Sequence, residues 1–287
     1  QHLSKPLPMN PCAHLSALQT ARSFLFVPGN RPDRFDKAAR AGADAIIIDL
    51  EDAVPPAEKA AARQALVAAN PWLATRHAPV VIRLNDCAED LQWLQRSALN
   101  IDAVMWPKAA SAAGVQAVVQ ALGPLGVIPL IESVAGCLQL AEIAAVPGVT
   151  RLALGHLDFM ADSGIRCSDD ERELDPLRFA LCLHSRANQL PAPIDGVTVA
   201  VKDSAQLTHD VQRALRFGFG GKLCIHPAQV EGVHHTLRPS DADIAWAQRV
   251  LAAQANASGA AVQGDGQMVD RPVMLRAQAL MARLGAG

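Results

Sequence analysis

Short apolar runs alternate with longer segments of helical spacing along most of the chain. The runs span 23–29, 45–52, 79–85, 103–108, 127–133, 151–157, 194–199 and 221–227. Each is short and nearly continuously apolar, the pattern of parallel strands buried on both faces. Between them, 31–40, 56–69, a segment through Leu91, Leu94 and Leu99, 114–122, 138–143, 174–189 and 204–217 have helical character. Eight strands alternating with helices predict an α/β fold, a (β/α)8 TIM barrel in preference to a doubly wound sheet. The tail predicts a helix over 241–255, a Gly/Gln-rich loop, and a last amphipathic helix over 272–284. The expected organisation is a flexible N-terminal arm at 1–21, a barrel over 22–238, and a C-terminal helical extension or lid over 239–287.

Composition narrows the reading. Half of the 287 residues are apolar, enough for a large core without disulfides, and the formal charge is −2. That balance argues against nucleic acid or an acidic membrane surface as a general partner. No apolar run reaches the ~18 residues of a membrane span, and the first residues lack the apolar core of a secretory signal. Six cysteines without a C-x-x-C pair read as reduced thiols, so a cytoplasmic protein is expected.

In such a barrel the chemistry lies where the strands end. Those ends carry Asp49, Glu51 and Asp52, then Arg83 and Asn85, Lys108, Glu132, His156 and Asp158, and His226. Polar groups are expected wherever buried chain meets solvent, so no single position decides anything. As a set, they would converge on one mouth. Carboxylates crowded there must either take a proton or gather a cation. Oxygen donors without Cys/His pairs suit a hard ion, Mg²⁺ first and Mn²⁺ second. Glu132 and Asp158 are the candidate ligands, with Asp49 and Glu51 orienting groups around them. Arg83 is either a structural partner of Asp49 or Glu51, or the group that stabilises a developing oxyanion. Lys108 is either ion-paired at the surface or engaged with substrate. His226 reads as a capping or packing residue, and the pair His234 and His235 as surface residues.

The segments Arg22–Gly29, Asp49–Val54, Ile82–Asn85, Pro107–Lys108, Ile131–Ser133 and Gly221–Pro227 resemble the citrate lyase β-subunit-like branch of the HpcH/HpaI aldolase family, over nearly the whole chain. The resemblance implies a Mg²⁺-dependent carbon–carbon lyase, assembled as a homotrimer or dimer of trimers. Its substrate would be a 3-hydroxyacyl thioester of the malyl-, citramalyl- or citryl- kind, on CoA or an acyl carrier. The products would be an acetyl thioester and a small 2-oxoacid. It implies Glu132 and Asp158 as metal ligands, and Arg83 and Glu51 in the chemistry. Asp49 and the backbone of Gly155, His156 and Leu157 would meet the substrate, and Arg22 and Lys108 would help to hold the carrier. The stretch Gly266–Pro272 resembles a lid whose aspartate, here Asp270, serves a neighbouring subunit's site; the same residue can equally cap the helix that follows. An imidazole at position 156 departs from the family pattern and would narrow the oxoacid pocket. Two other readings stand beside this one: an aldolase acting on free 2-oxo-4-hydroxy acids, and a binding subunit without catalysis.

Overall fold

The computed structural model describes residues 11–255, 262–264 and 267–284. The chain divides into two compact units, Gln1–His234 and His235–Gly287. The first unit is the barrel. Its strands are β1 (Ser23–Pro28), β2 (Ala45–Asp49), β3 (Val80–Arg83), β4 (Ala103–Trp106), β5 (Gly126–Ile131), β6 (Ala153–Leu154), β7 (Ile194–Asp195) and β8 (Gly221–Cys224). Each pairs in parallel with the next, and β8 returns to β1 through Phe24↔Leu223, closing the cylinder. The (β/α)8 expectation is met, although the strands are shorter than the apolar runs that announced them.

Alternation along the strands decides what points inward. Phe24, Ala45, Ile47, Val81, Ala103, Met105, Ile128, Leu130, Ala153, Ile194 and Leu223 form one buried cluster along the barrel axis. Small residues on β2, β4 and β6 face larger ones on the other strands. Two residues further along the same series come Asp49, Arg83 and Glu132, so the inward row turns polar at the C-terminal ends of β2, β3 and β5. Position 157 is not strand: a helix, His156–Ser163, begins one residue after Gly155. The backbone there turns as soon as β6 has paired with β5 and β7.

The expected N-terminal arm is corrected within the described residues. Pro11–Thr20 is a helix, and Leu18 packs into the axial cluster from the N-terminal end. Arg151 ties it there. Its fully buried guanidinium donates from Nη1 to the carbonyls of Leu18 (3.1 Å) and Ala21 (2.7 Å), and sits over the Phe24 ring. Burial brings its pKa down to about 9. Residues 1–10 of that arm lie outside the described residues.

The second unit holds a helix, Asp241–Ala255, a hairpin of β9 (Val262–Gly264) with β10 (Gln267–Val269), and a helix, Arg271–Leu284. Ala247, Val250 and Ala277 are its buried centre, and Arg276 lies over the Trp246 ring. Two short strands thus stand where the sequence predicted only a loop. Among the described residues no helix is long and apolar enough to cross a membrane. Cys87, Cys137, Cys167, Cys182 and Cys224 are free thiols.

Candidate active site

At the C-terminal mouth of the barrel lies a cavity of ≈ 390 Å³. Asp49, Asp52, Arg83, Glu132, Asp158 and the turn Gly155–Leu157 line it, above apolar walls that include Phe26, Leu130, Leu154, Val197 and Leu223. The structure therefore brings most of the candidate residues together.

Glu132 is the most constrained. It is buried, and its Oε1 accepts the backbone N–H of Lys108 at 2.6 Å. Lys108 reaches that position with φ +50°, a left-handed conformation that costs a non-glycine residue roughly 1–3 kcal/mol. Gly155 forms the other side of the seat. A Cβ there would meet Glu132 Oε2 at 2.5 Å, so only glycine leaves the carboxylate room. Burial, opposed by the Lys108 hydrogen bond and reinforced by the charges of Glu51 and Asp158, pushes Glu132 up to about 8. Asp158 stands in the first turn of His156–Ser163 and faces the same cavity. That helix starts at the cavity wall, where its first N–H groups have no intrahelical partner and its dipole favours an anion.

Arg83 has the ion-paired place that one reading of its sequence position expected, and it also lines the cavity. Nε and Nη2 each donate to Asp49 at 2.7 Å, a bidentate pair, while Nη1 lies 3.0 Å from Glu51 and 3.3 Å from Asp52. Burial alone would lower its pKa, but the hydrogen bonds and charge of Asp49, then the charges of Glu51 and Asp52, hold it above the ordinary arginine value. It is ion-paired and still part of the cavity wall. Asp49 also accepts the backbone N–H groups of Glu51 and Ala53, both at 2.9 Å. With four donors its acceptor capacity is used; it positions Arg83 and has nothing left for a substrate.

Glu51 bridges Arg83 and Lys108, 3.2 Å from Lys108 Nζ, and burial, partly countered by Arg83, raises its pKa. The Lys108 side chain is over half exposed and is not part of the cavity wall. Its contribution to the site is its backbone N–H. Arg22 is the one candidate of the first unit placed elsewhere. It precedes β1 and binds Asp44, just before β2, at the opposite end of the barrel; its expected place on the carrier is withdrawn. His234 belongs to that far cluster, 2.7 Å from Ser23 Oγ and 3.3 Å from Asp44, and so is not a free surface histidine. Asp270 lies in the second unit. It is exposed, and its Oδ1 accepts Val273 N–H at 3.1 Å, so it caps Arg271–Leu284. Part of the lid motif, residues 265–266, lies outside the described residues.

Asp52 joins the cavity wall, where its place at the end of the second apolar run put it. Two features were not read from the sequence. A second cavity of ≈ 580 Å³ shares Phe26, Pro28 and Ile225 with the first and carries Arg31, Arg34 and Lys37. The run Arg31-Pro-Asp-Arg34, just past a strand end, was the available signal. The other is a buried charge network behind His156. Its Nε2 lies 3.7 Å from Glu171; Glu171 is gripped by Arg178 and by Arg213 (2.8 Å), and Lys222 donates to Asp195 at 2.7 Å. Asp195 and Lys222 have the outward parity of β7 and β8, which places them under the helices. Glu171 sat in a charged run with nothing to mark it as internal.

Could these residues hold a divalent cation? Among the described residues no group of three or more His, Cys, Asp or Glu side chains forms a closed cage. Glu132 and Asp158 instead offer two oxygen donors on one cavity, with the rest open to water or substrate. That suits Mg²⁺, which keeps waters and needs few protein carboxylates. The excess of acid over base in the wall, and the lifted pKa of Glu132, are what a bound cation would relieve. The donor set fits.

A (β/α)8 barrel with an acid-rich mouth, one clamped arginine and a helix N-terminus at the same cavity defines a class of small-anion enzymes built on this fold. More narrowly, the chain belongs to the HpcH/HpaI aldolase/citrate lyase family, whose model matches residues 22–227. This is a family of citrate lyase β-like enzymes. The chain is 37% identical to a citrate lyase subunit beta-like protein of Mycobacterium tuberculosis, over 91% of this chain and 95% of that one. It is 34% identical to a (3S)-malyl-CoA thioesterase of Cereibacter sphaeroides, over 92% and 95%. A crystal structure of CitE from M. tuberculosis, in complex with magnesium, acetoacetate and coenzyme A, superposes with a TM-score of 0.80 at 35% identity, covering 93% of this chain and 99% of that one.

Proposed function

We propose that the chain is a Mg²⁺-dependent lyase. It would cleave, or form, a 3-hydroxyacyl thioester of the malyl, citramalyl or citryl kind, exchanging it for an acetyl thioester and a 2-oxoacid. The observation that carries this reading is the single cavity faced by Arg83, by the pair Glu132 and Asp158, and by the start of His156–Ser163. Further support comes from the magnesium, acetoacetate and coenzyme A held by the M. tuberculosis relative.

Glu132 and Asp158 would hold the ion, which when bound polarises the carbonyl to be attacked. Every other part of the work falls to the chain. The N–H groups that open His156–Ser163 receive the oxoacid carboxylate. Arg83, locked by Asp49 and unable to lose its proton, faces the charge that develops on the thioester oxygen when the acetyl carbon gives up a proton. Asp270, delivered from another copy of the chain, takes that proton in condensation and returns it in cleavage. The new carbon–carbon bond joins the acetyl carbon to the keto carbon, and the keto oxygen ends as the hydroxyl. Arg31, Arg34 and Lys37, in the cavity that shares a wall with the first, suit the phosphates of a CoA-type carrier.

The C. sphaeroides relative brings in a second reading, hydrolysis of the same thioester in the same pocket. One assay separates them. Acetyl-CoA with glyoxylate or pyruvate and Mg²⁺ should give a hydroxyacyl-CoA and lose activity with chelator. Free CoA and a free hydroxyacid, appearing from a supplied hydroxyacyl-CoA, would favour the thioesterase. Turnover of free 2-oxo-4-hydroxy acids without any thioester chemistry would overturn both.

A further inference from the structure

Glu132 and Asp158 leave the barrel on two neighbouring branches of the chain. Strands β5 and β6 pair through Ile131↔Leu154, and the Gly155 N–H then donates to the Ile131 carbonyl at 2.9 Å. Beyond that bond the branches part. One carries Glu132 into a short helix, Val134–Leu138. The other carries Asp158 in the first turn of His156–Ser163. Two carboxylates on separate branches hold a fixed spacing only where the branches are tied.

Asp162 makes that tie. It lies one helical turn after Asp158, on the same side of their helix. Asp158 faces the cavity, and Asp162 Oδ2 accepts the backbone N–H of Val134 at 2.7 Å, two residues after Glu132. Among the described residues this is the one hydrogen bond that joins the two branches past the ladder. Val134 needs an outside acceptor. The first N–H groups of a helix have no partner within it, and the cap Ser133 spends its Oγ on Gly136, at 3.1 Å.

The same short helix rests on the turn that seats Glu132. A Cβ on Gly136 would overlap the Ala109 carbonyl oxygen, and Lys108, one residue earlier, gives its N–H to Glu132 Oε1. Packing at Gly136 limits how closely the helix approaches that turn. The charged hydrogen bond from Asp162 holds it to the other branch. Asp162 and Val134 are both exposed, so water replaces a lost carboxylate there and the barrel stays folded.

We propose that Asp162 is a positioning residue that fixes the spacing of Glu132 and Asp158, and that this fixed spacing favours Mg²⁺ over Ca²⁺. The inference rests on the reading of those two carboxylates as the metal ligands. Mg²⁺ demands near-ideal octahedral geometry, whereas Ca²⁺ accepts flexible surroundings and a variable number of oxygens. Slack between the branches therefore costs Mg²⁺ more than Ca²⁺.

Calorimetry of Mg²⁺ and of Ca²⁺ on the full chain tests this without turnover. Asp162→Ala should weaken Mg²⁺ about 10-fold, as loss of an outer partner of a metal site does, and lower the Mg²⁺ to Ca²⁺ affinity ratio. Its melting temperature should barely move. Asp162→Asn keeps an acceptor oxygen and loses the charge; it should restore most of the affinity and of the ratio. Equal loss in both variants would mean that Asp162 acts through its charge alone. Unchanged affinities in Asp162→Ala would remove it from the site. Either result overturns the proposal. Hydrogen exchange on the wild-type chain needs no variant: the Val134 amide should exchange more slowly than a free exposed amide, and exchange at the free rate is equally fatal. If the ligand assignment itself is wrong, Glu132→Gln binds Mg²⁺ as wild type does. The inference then falls with that reading, a failure distinct from that of the Asp162 tie.

Discussion

Glu132 shows how one side chain can be set by its neighbours' backbones. Lys108 gives it an N–H at the cost of a left-handed φ, and Gly155 gives it space by having no side chain. With its pKa raised to about 8, the native state keeps a proton that the unfolded chain loses near 4.5. Over that window the metal-free protein should become less stable as pH rises, by at most ~1.4 kcal/mol per pH unit from this group. Denaturant unfolding of wild type and Glu132→Gln at several pH values should show a steeper fall of stability with rising pH in the wild type, the difference being the contribution of Glu132. Mg²⁺ should expel the same proton, detectable by calorimetry in buffers of different ionisation enthalpy, and Glu132→Gln should weaken Mg²⁺ by 10-fold or more, to about the 100-fold range. Gly155→Ala, whose methyl would overlap Oε2, should lose both Mg²⁺ affinity and roughly 1–3 kcal/mol of stability. Unaltered metal binding in either variant removes that residue from the site.

At the scale of elements, strand parity sorts the charged residues into two populations. Asp49, Arg83 and Glu132 follow the inward row of β2, β3 and β5 into the mouth. Asp195 and Lys222 have the other parity and pair beneath the helices, both at least 98% buried. Burial raises the cost of charging Asp195, yet Lys222 and Arg178 more than offset it and hold its pKa below the usual range. Asp195→Asn would strand Lys222 and should destabilise the barrel by about 3–5 kcal/mol, read by denaturant titration. At the opposite end, Leu18→Ala on the N-terminal helix should cost about 2–4 kcal/mol. A value near zero there would mean that the helix is dispensable to the barrel core.

For the whole molecule, the proposal depends on the second unit reaching a site through Asp270. Asparagine caps a helix as well as aspartate does, so Asp270→Asn should leave the melting temperature almost unchanged. It should leave Mg²⁺ affinity unchanged as well, and lower the turnover rate by about 100-fold or more. Mixing that variant with a barrel-mouth variant such as Glu132→Gln should then recover activity, if each copy supplies what the other lacks. Full activity in Asp270→Asn alone would leave the residue a cap only.

How much was legible in the sequence follows from the range of each force. The eight-strand barrel was legible because hydrophobic periodicity is local, repeats along the chain and admits few closed arrangements. The acids and Arg83 at the mouth were legible for the same reason: each ends an apolar strand, and strand ends of a parallel barrel share one face. Arg22 entered through the resemblance alone; it precedes β1, and its pairing with Asp44, just before β2, puts it at the N-terminal end of the barrel. Whether Arg83 was a structural partner or a reactive group had no answer in sequence, since its partner Asp49 lies 34 positions away. The vital absence of a side chain at Gly155, the spent acceptors of Asp49 and the grip of Arg178 and Arg213 on Glu171 are long-range contacts between elements. Periodicity carries no record of them. The sequence by itself thus determined the barrel and the row of charges at its mouth; packing in three dimensions alone decided which of those charges are free to meet a ligand.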